Sequence, residues 1–363
     1  MEDEASPRLL WDWGTAYDLF VSLEVLHEPA EFDVRRAWAA GMRARLPADA
    51  REMLEQTRTL GHVPLHWIYA LPHPKDGAAV LWSLGQVPPA DRLAALTLPS
   101  DVPSDVVEIL QGVAARRAWD QGDEEALQAA RSCQEKESLP CLKDPTKALE
   151  WWTRAEEFGE RYLEALRAYQ EVFFAEEERR IRPALQEALA RAQELSERLS
   201  LPDLLEELSQ GLRLAEPLEA AELVLAPSYW STPLVYMGRV SAERDIWLFG
   251  ARPPDASLVP GDAVPDAMTR VLKALSDPTR LRILRYLSEE PLTPAQLARR
   301  LRLRAPTVTH HLRALRLAGL VQVILEKDKR KKKEKQHYAV RSEAVAATFA
   351  SLKGFLEKGE AVE

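Results

Sequence analysis

Five residues near the C-terminal end of the chain carry the chemistry of base reading. Arg304, Thr307, Thr309, His310 and Arg313 fall within RAPTVTHHLRALRLAG. On a helix starting at Pro306, Val308, Leu312 and Leu315 make one inward face, and the polar set points outward at or near the N-terminal end. Thr and His donate to bases or phosphates, and Arg takes guanine O6 and N7 in a bidentate way. Some ten residues further on, EKDKRKKKEKQ supplies Lys327, Lys329, Arg330, Lys331, Lys332, Lys333 and Lys335. In a turn between two strands these cations follow phosphates or enter a minor groove. The plain alternative is a solvated turn.

The elements that must position these groups are legible around them. Asp266 to Leu275 reads as one helix. Asp277-Pro278 starts a second, TRLRILRYL, with Asp277 as N-cap and Pro278 at the first helical position. Thr293-Pro294 opens a third, AQLARRL, and the turn RLRA leads into the reading helix, which Gly319 ends. LVQVILE and QHYAVR then alternate as two strands about the Lys-rich turn. The last three of these helices, with a tight turn and a β-hairpin, make a winged helix-turn-helix within 265–341, whose reading helix fits a DNA major groove.

Charge agrees with that reading. Residues 265–341 hold 19 Lys and Arg against 7 Asp and Glu, a net of +12, inside a chain of 363 residues whose net is −9. The remainder therefore carries −21. A basic block in an acidic protein is the electrostatic footprint of nucleic-acid binding.

The stretch LKALSDPTRLRILRYL, LTPAQLARRL and APTVTHHLRALRLAGLV resembles the ArsR-type winged-helix transcriptional regulators. The resemblance rests on Asp277-Pro278-Thr279-Arg280, on Thr307-Val308-Thr309-His310-His311-Leu312 and on Ala318-Gly319-Leu320-Val321, in that order. It covers a fifth to a quarter of the chain. It implies a sequence-specific regulator of double-stranded DNA, a repressor by family habit, and a homodimer joined through helices flanking the motif. Those helices are 266–275 and 342–357, the second with an apolar stripe at Val345, Phe349, Leu352 and Leu356. The alternative function is a protein-interaction module that uses the winged helix to hold a partner.

Metal sensing, common in that family, has no counterpart at its usual places. The first motif helix reads Thr293-Pro294-Ala295-Gln296-Leu297-Ala298 without a cysteine, and 342–363 hold no His. His62, His66 and His73 form a loose group that reads as structural. Cys133 and Cys141 read as two surface thiols. There is no P-loop, GxGxxG, GxSxG or HExxH, and Glu176-Glu177-Glu178 reads as a solvated face, so no enzyme activity and no cofactor are expected. The acidic start, MEDEASPRLLW, has no apolar signal segment, and no run reaches the ~20 apolar residues of a membrane span. These features predict a cytoplasmic protein.

The expected fold class is mainly α with small antiparallel β elements. Residues 1–250 read as a mostly helical sensory or dimerisation domain ending in a small sheet. Its helices include Thr15–His27, one capped by Asp33 and one opened by Pro47; only short ones fit the Pro-rich stretch 62–104. A long helical run from Asp144 to about Leu199 has Pro183 as a break or kink. ELVLAPSYW, PLVYMGRV and RDIWLFG read as two or three antiparallel strands. Residues 251–264 read as a linker, 265–341 as the separable winged unit and 342–363 as a dimerisation helix. The aromatic content of the first 250 residues suits a core or a small organic effector.

Overall fold

The computed structural model describes residues 6–57, 63–99, 102–133, 144–216, 218–258, 264–328 and 333–357. A short strand β1 (Arg8–Trp11) leads into α1 (Thr15–His27). Short helices follow: α2 (Arg36–Ala44), α3 (Ala48–Gln56), α4 (Leu65–Tyr69), α5 (Gly77–Gln86), α6 (Pro89–Thr97), α7 (Ser104–Arg116) and α8 (Gln121–Cys133). The long run comprises α9 (Pro145–Trp152), α10 (Ala155–Tyr169), a π-helical turn at Gln170–Phe174 and α11 (Ala175–Ser196); α12 (Leu201–Leu208) closes it. Strands β2 (Leu212–Leu214), β3 (Glu222–Ser228), β4 (Tyr236–Ser241) and β5 (Arg244–Gly250) come next. The C-terminal part holds α13 (Asp266–Leu275), α14 (Pro278–Leu287), α15 (Pro294–Leu301), α16 (Ala305–Leu317), β6 (Val321–Asp328), β7 (Lys333–Val340) and α17 (Ser342–Glu357). The chain is mainly α, as its sequence predicts.

The expected face of α1 is wider than the periodicity suggests. Every residue from Thr15 to His27 except Glu24 is buried, so the helix is the axis of the body. A helix buried all round must satisfy its own polar groups. Asp18 accepts from Ser228 Oγ (2.7 Å), Tyr229 N (3.1 Å) and Trp230 N (2.8 Å). Ser22 Oγ meets Tyr169 Oη at 2.8 Å.

Several expectations are corrected. Asp33 caps nothing: it has φ 52°, Arg35 takes the N-cap position of α2, and the Asp33 carboxylate lies 3.7 Å from Arg270 Nε. Helix α11 continues through Pro183, so the chain does not break there. Glu177 and Glu178 are buried and engaged. Glu177 accepts from Trp230 Nε1 (3.1 Å) and pairs with Arg180; Glu178 accepts from Gly77 N (3.1 Å) and Thr15 Oγ1.

The sheet is also corrected. Its order is β1-β3-β5-β4, with β1, β3 and β5 parallel and only β4 antiparallel, to β5. Tyr229 to Thr232 is a buried turn, tied to α1 by the Asp18 hydrogen bonds, which carries the chain past the place that β5 then fills. Alternation along the two central strands serves two cores. Val224, Ala226, Ile246 and Leu248 face the helical body. Leu223, Leu225, Trp247 and Phe249 face a second core shared with Val271, Ile283, Leu287, Leu297, Leu312 and Leu320.

A second tie joins the two halves. Strand β2 pairs in parallel with β6, with Leu212 beside Val323 and Leu214 beside Leu325, so the sheet order is β2-β6-β7. Gly211, at φ 103°, makes the turn into β2; a Cβ there meets the Arg341 side chain at 2.7 Å. Arg316 donates to Gln210 O and Ser209 O (2.8 Å each), and Arg341 Nη1 donates to Gln210 O (3.0 Å). The winged helix and the body thus share both a core and a sheet. The separable 265–341 unit expected from the sequence would, if isolated, lack part of each.

Two outcomes follow. Trp247 is 4% exposed in the shared core, and Trp247→Ala should lower the unfolding free energy of the whole chain by about 3–5 kcal/mol. Denaturant titration checks it; a loss below about 1 kcal/mol would show that the junction carries little. Burial pushes the Asp18 carboxyl up from 3.8 to about 6, against the lowering effect of its three hydrogen bonds. Between those values the folded chain binds more protons than the unfolded chain, so this group's contribution to stability falls as pH rises. Tm measured between pH 4 and 6 should therefore fall more with rising pH in the wild type than in Asp18→Asn.

Candidate nucleic-acid interface

Local chemistry sets up the reading helix. Asp277 caps α14, accepting from Thr279 N (2.7 Å) and Arg280 N (3.0 Å). The hydrogen bond from Arg280 N, first among several causes, holds its carboxyl below the usual range. Thr293 and Gln296 make a reciprocal capping box that starts α15. Arg302, at φ 57°, ends α15 in the left-handed region, and the chain turns straight into α16. Val308, Leu312 and Leu315 are buried, which fixes the rotation of α16. Gly319, at φ 69°, ends it.

The predicted reading residues separate on inspection. Arg304 is the N-cap residue of α16 and is exposed, as are Thr307, Thr309 and His310. Thr309 Oγ1 donates to Ala305 O at 3.1 Å, which leaves it free only to accept. His310 lies beside His311, their ring centroids 6.0 Å apart. His311 is partly buried, and desolvation lowers its pKa despite nearby Asp277. Arg313 stands on the same outward face. It is 44% exposed and engaged by the body: its Nη2 lies 3.2 Å from the main-chain oxygen of Glu31 and pairs with the Glu31 carboxylate.

The wing is a hairpin of β6 and β7 with Val321 opposite Val340 and Glu326 opposite Lys335. Leu292 and Tyr338 exchange two hydrogen bonds of 2.9 Å at its base. Lys335 is exposed. Lys327 and Lys333 lie on the strands, whereas Lys329, Arg330, Lys331 and Lys332 lie outside the described residues.

The sequence reading passed over Arg299 and Arg302. Both are exposed on the last turn of α15 and the bend that follows, just before Arg304. Their signal was the run RRLRLR from Arg299 to Arg304, where every arginine except Arg300 is free of a described ion pair; Arg300 pairs with Glu290. These cations precede the positive end of the α16 dipole in the chain, an arrangement suited to phosphate.

Other candidate sites carry less. His66 Nε2 is 3.0 Å from Ala95 O, His73 Nε2 is 3.6 Å from Asp12, and His62 lies outside the described residues. Among the described residues no group of three His, Cys, Asp or Glu side chains is placed to hold a metal ion. Cys133 ends α8, and Cys141 lies outside the described residues. No described helix is long and apolar enough to cross a membrane.

Comparison with known proteins agrees with this geometry. Residues 275–324 match a family model described as a helix-turn-helix domain. A stretch of 54 residues is 37% identical to the transcriptional repressor SdpR of Bacillus subtilis (strain 168). That stretch is 15% of this chain and 60% of the relative, so the chain spans less than two thirds of that protein. The chain therefore carries a helix-turn-helix domain of the kind found in DNA-binding transcriptional regulators.

Arg299, Arg302 and Arg304 together should set the electrostatic part of DNA binding. Replacing all three with Ala should weaken duplex binding at low salt and make the log–log salt slope shallower by up to about 0.9 for each phosphate that is no longer neutralised. An unchanged slope in a salt series would remove these arginines from the interface.

Proposed function

We propose that this chain is a sequence-specific double-stranded-DNA-binding transcriptional regulator, and specifically a repressor that acts as a homodimer and responds to a non-metal signal through its N-terminal body. The carrying observation is the exposed N-terminal half of α16, where Arg304, Thr307, Thr309 and His310 stand clear beside a basic turn and a basic wing. Base contacts from that face specify the site, and the wing lysines, Lys327 to Lys335, add phosphate contacts. The repressor reading draws on the ArsR-type resemblance and on the name of the relative.

The dimer reading is supported by apolar side chains left outside the core. Phe349 (57% exposed) and Leu356 (67%) lie on α17, and Leu272 and Leu281 are exposed on α13 and α14. A two-fold pair of reading helices fits a near-palindromic operator with half-sites about one helical turn, or 34–36 Å, apart. The body, with its large aromatic core, is where a small organic effector would act. To regulate, that effector has to favour one of the DNA-competent and DNA-incompetent states.

Selection of bound sequences from random duplex DNA, using the full chain, tests the function. The expected product is a near-palindrome. On that site Arg313→Ala should cost about 1–3 kcal/mol and relax the preference at one position, whereas Ala in place of the wing lysines should weaken all sequences alike. Recovery of no preferred sequence would refute specific reading.

A further inference from the structure

The segment 28–34 belongs to the helical body, yet it reaches the reading face of α16. It is a built turn. Glu31 N donates to Glu28 O (2.9 Å), Val34 N donates to Pro29 O (2.8 Å), and Phe32 and Val34 are buried in the body's core. Two of its three carboxylates, Glu31 and Asp33, face the winged helix. Asp33 lies 3.7 Å from Arg270 Nε, and Arg270 Nη1 in turn donates to Leu317 O (3.3 Å) at the end of α16. Glu31 meets Arg313 with its carboxylate and with its main-chain oxygen.

Both contacts fall on one nitrogen, Nη2. A guanidinium presents two bidentate edges, Nε with Nη2 and Nη1 with Nη2. Each needs a hydrogen of Nη2, which has only two. With a carboxylate and a carbonyl against that atom, neither edge is free for guanine O6 and N7, or for two oxygens of one phosphate. The pairing and bidentate DNA contact exclude each other. Glu31 also places a negative charge where a phosphate backbone would approach.

We infer that Glu31 is a built-in competitor for the DNA-reading face, a latch through which the N-terminal body masks Arg313 in the DNA-free protein. This rests on the DNA-binding reading given above. The carboxylate stands in for the anionic or acceptor edge of DNA, so duplex and turn 28–34 compete for one side chain. Because both partners are near half exposed (44% and 42%), the latch is weak and reversible. The turn is anchored by Phe32 and Val34, so a shift of the body's helices moves Glu31 relative to α16 and resets the affinity for DNA.

The test uses the full chain and the duplex selected above, with fluorescence anisotropy as the readout. Glu31→Gln should tighten binding about two- to fivefold, the range expected for release of an exposed ion pair. Glu31→Ala should do the same, and the two together guard against a local effect of either side chain. Glu108→Gln, an equal charge change on α7, should leave affinity unaltered. In an Arg313→Ala background the gain from Glu31→Gln should vanish, because the competed side chain is gone. Binding that Glu31→Gln leaves unchanged or weakens overturns the latch alone. So does a gain that persists without Arg313. If neither the wild type nor Glu31→Gln binds any duplex, the DNA-binding reading falls, and the latch falls with it.

Discussion

Burial of both faces of two central strands is the constraint from which the rest of this molecule follows. β3 and β5 lie side by side, and their side chains alternate between two cores. One face closes on α1 and the helices around it. The other, with Leu223, Leu225, Trp247 and Phe249, lines a second core to which residues of α11, α12 and the winged helix also belong. A strand buried on both faces has no register freedom, because a slip of one residue would exchange the two sets. The same pairing that holds the body together thus also contributes one side of the core that the winged helix shares.

This coupling gives the basic C-terminal part its context. Alone, it is a small unit of five helices, α13 to α17, and a hairpin. Here its hairpin gains a third strand from β2, and its inward helix faces share a core with side chains of a sheet that starts with Arg8–Trp11 at the other end of the chain. Carbonyls left at the C-terminal end of α12 are taken up by Arg316 and Arg341, and burial, aided by the neighbouring Arg341, lowers the Arg316 pKa to about 10.

The parts legible in the sequence are those whose cause is local. Asp277-Pro278 and Thr293-Pro294 state their helix starts within four residues, and Gly319 states a helix end. The inward set Val308, Leu312 and Leu315 follows from a 3.6-residue period alone. What was not legible depends on distant partners. β2 is a Leu-Arg-Leu triplet whose partner lies over a hundred residues away. The parallel pairing of β3 with β5 depends on a turn held by Asp18, more than two hundred residues earlier in the chain. Glu176-Glu177-Glu178 looks like any charged helix face until Trp230 and Thr15 arrive to bury it. Of the candidate site, the exposed N-terminal residues of α16 were predictable, while the engagement of Arg313 by Glu31 was not, since nothing near either residue announces the other.

The grip of Arg316 and Arg341 on the end of α12 makes α16 a lever. The fulcrum is at its C-terminal end, where Arg316 is held, and the exposed far end is Arg304. Thirteen residues of helix give an arm of about 20 Å. A rotation of about 10° at the fulcrum moves the tip by about 3.4 Å, which is the rise of one base pair along a strand. Under the proposed function, motion in the body would reach the groove as a change of register along the duplex rather than as a loosening of the fold.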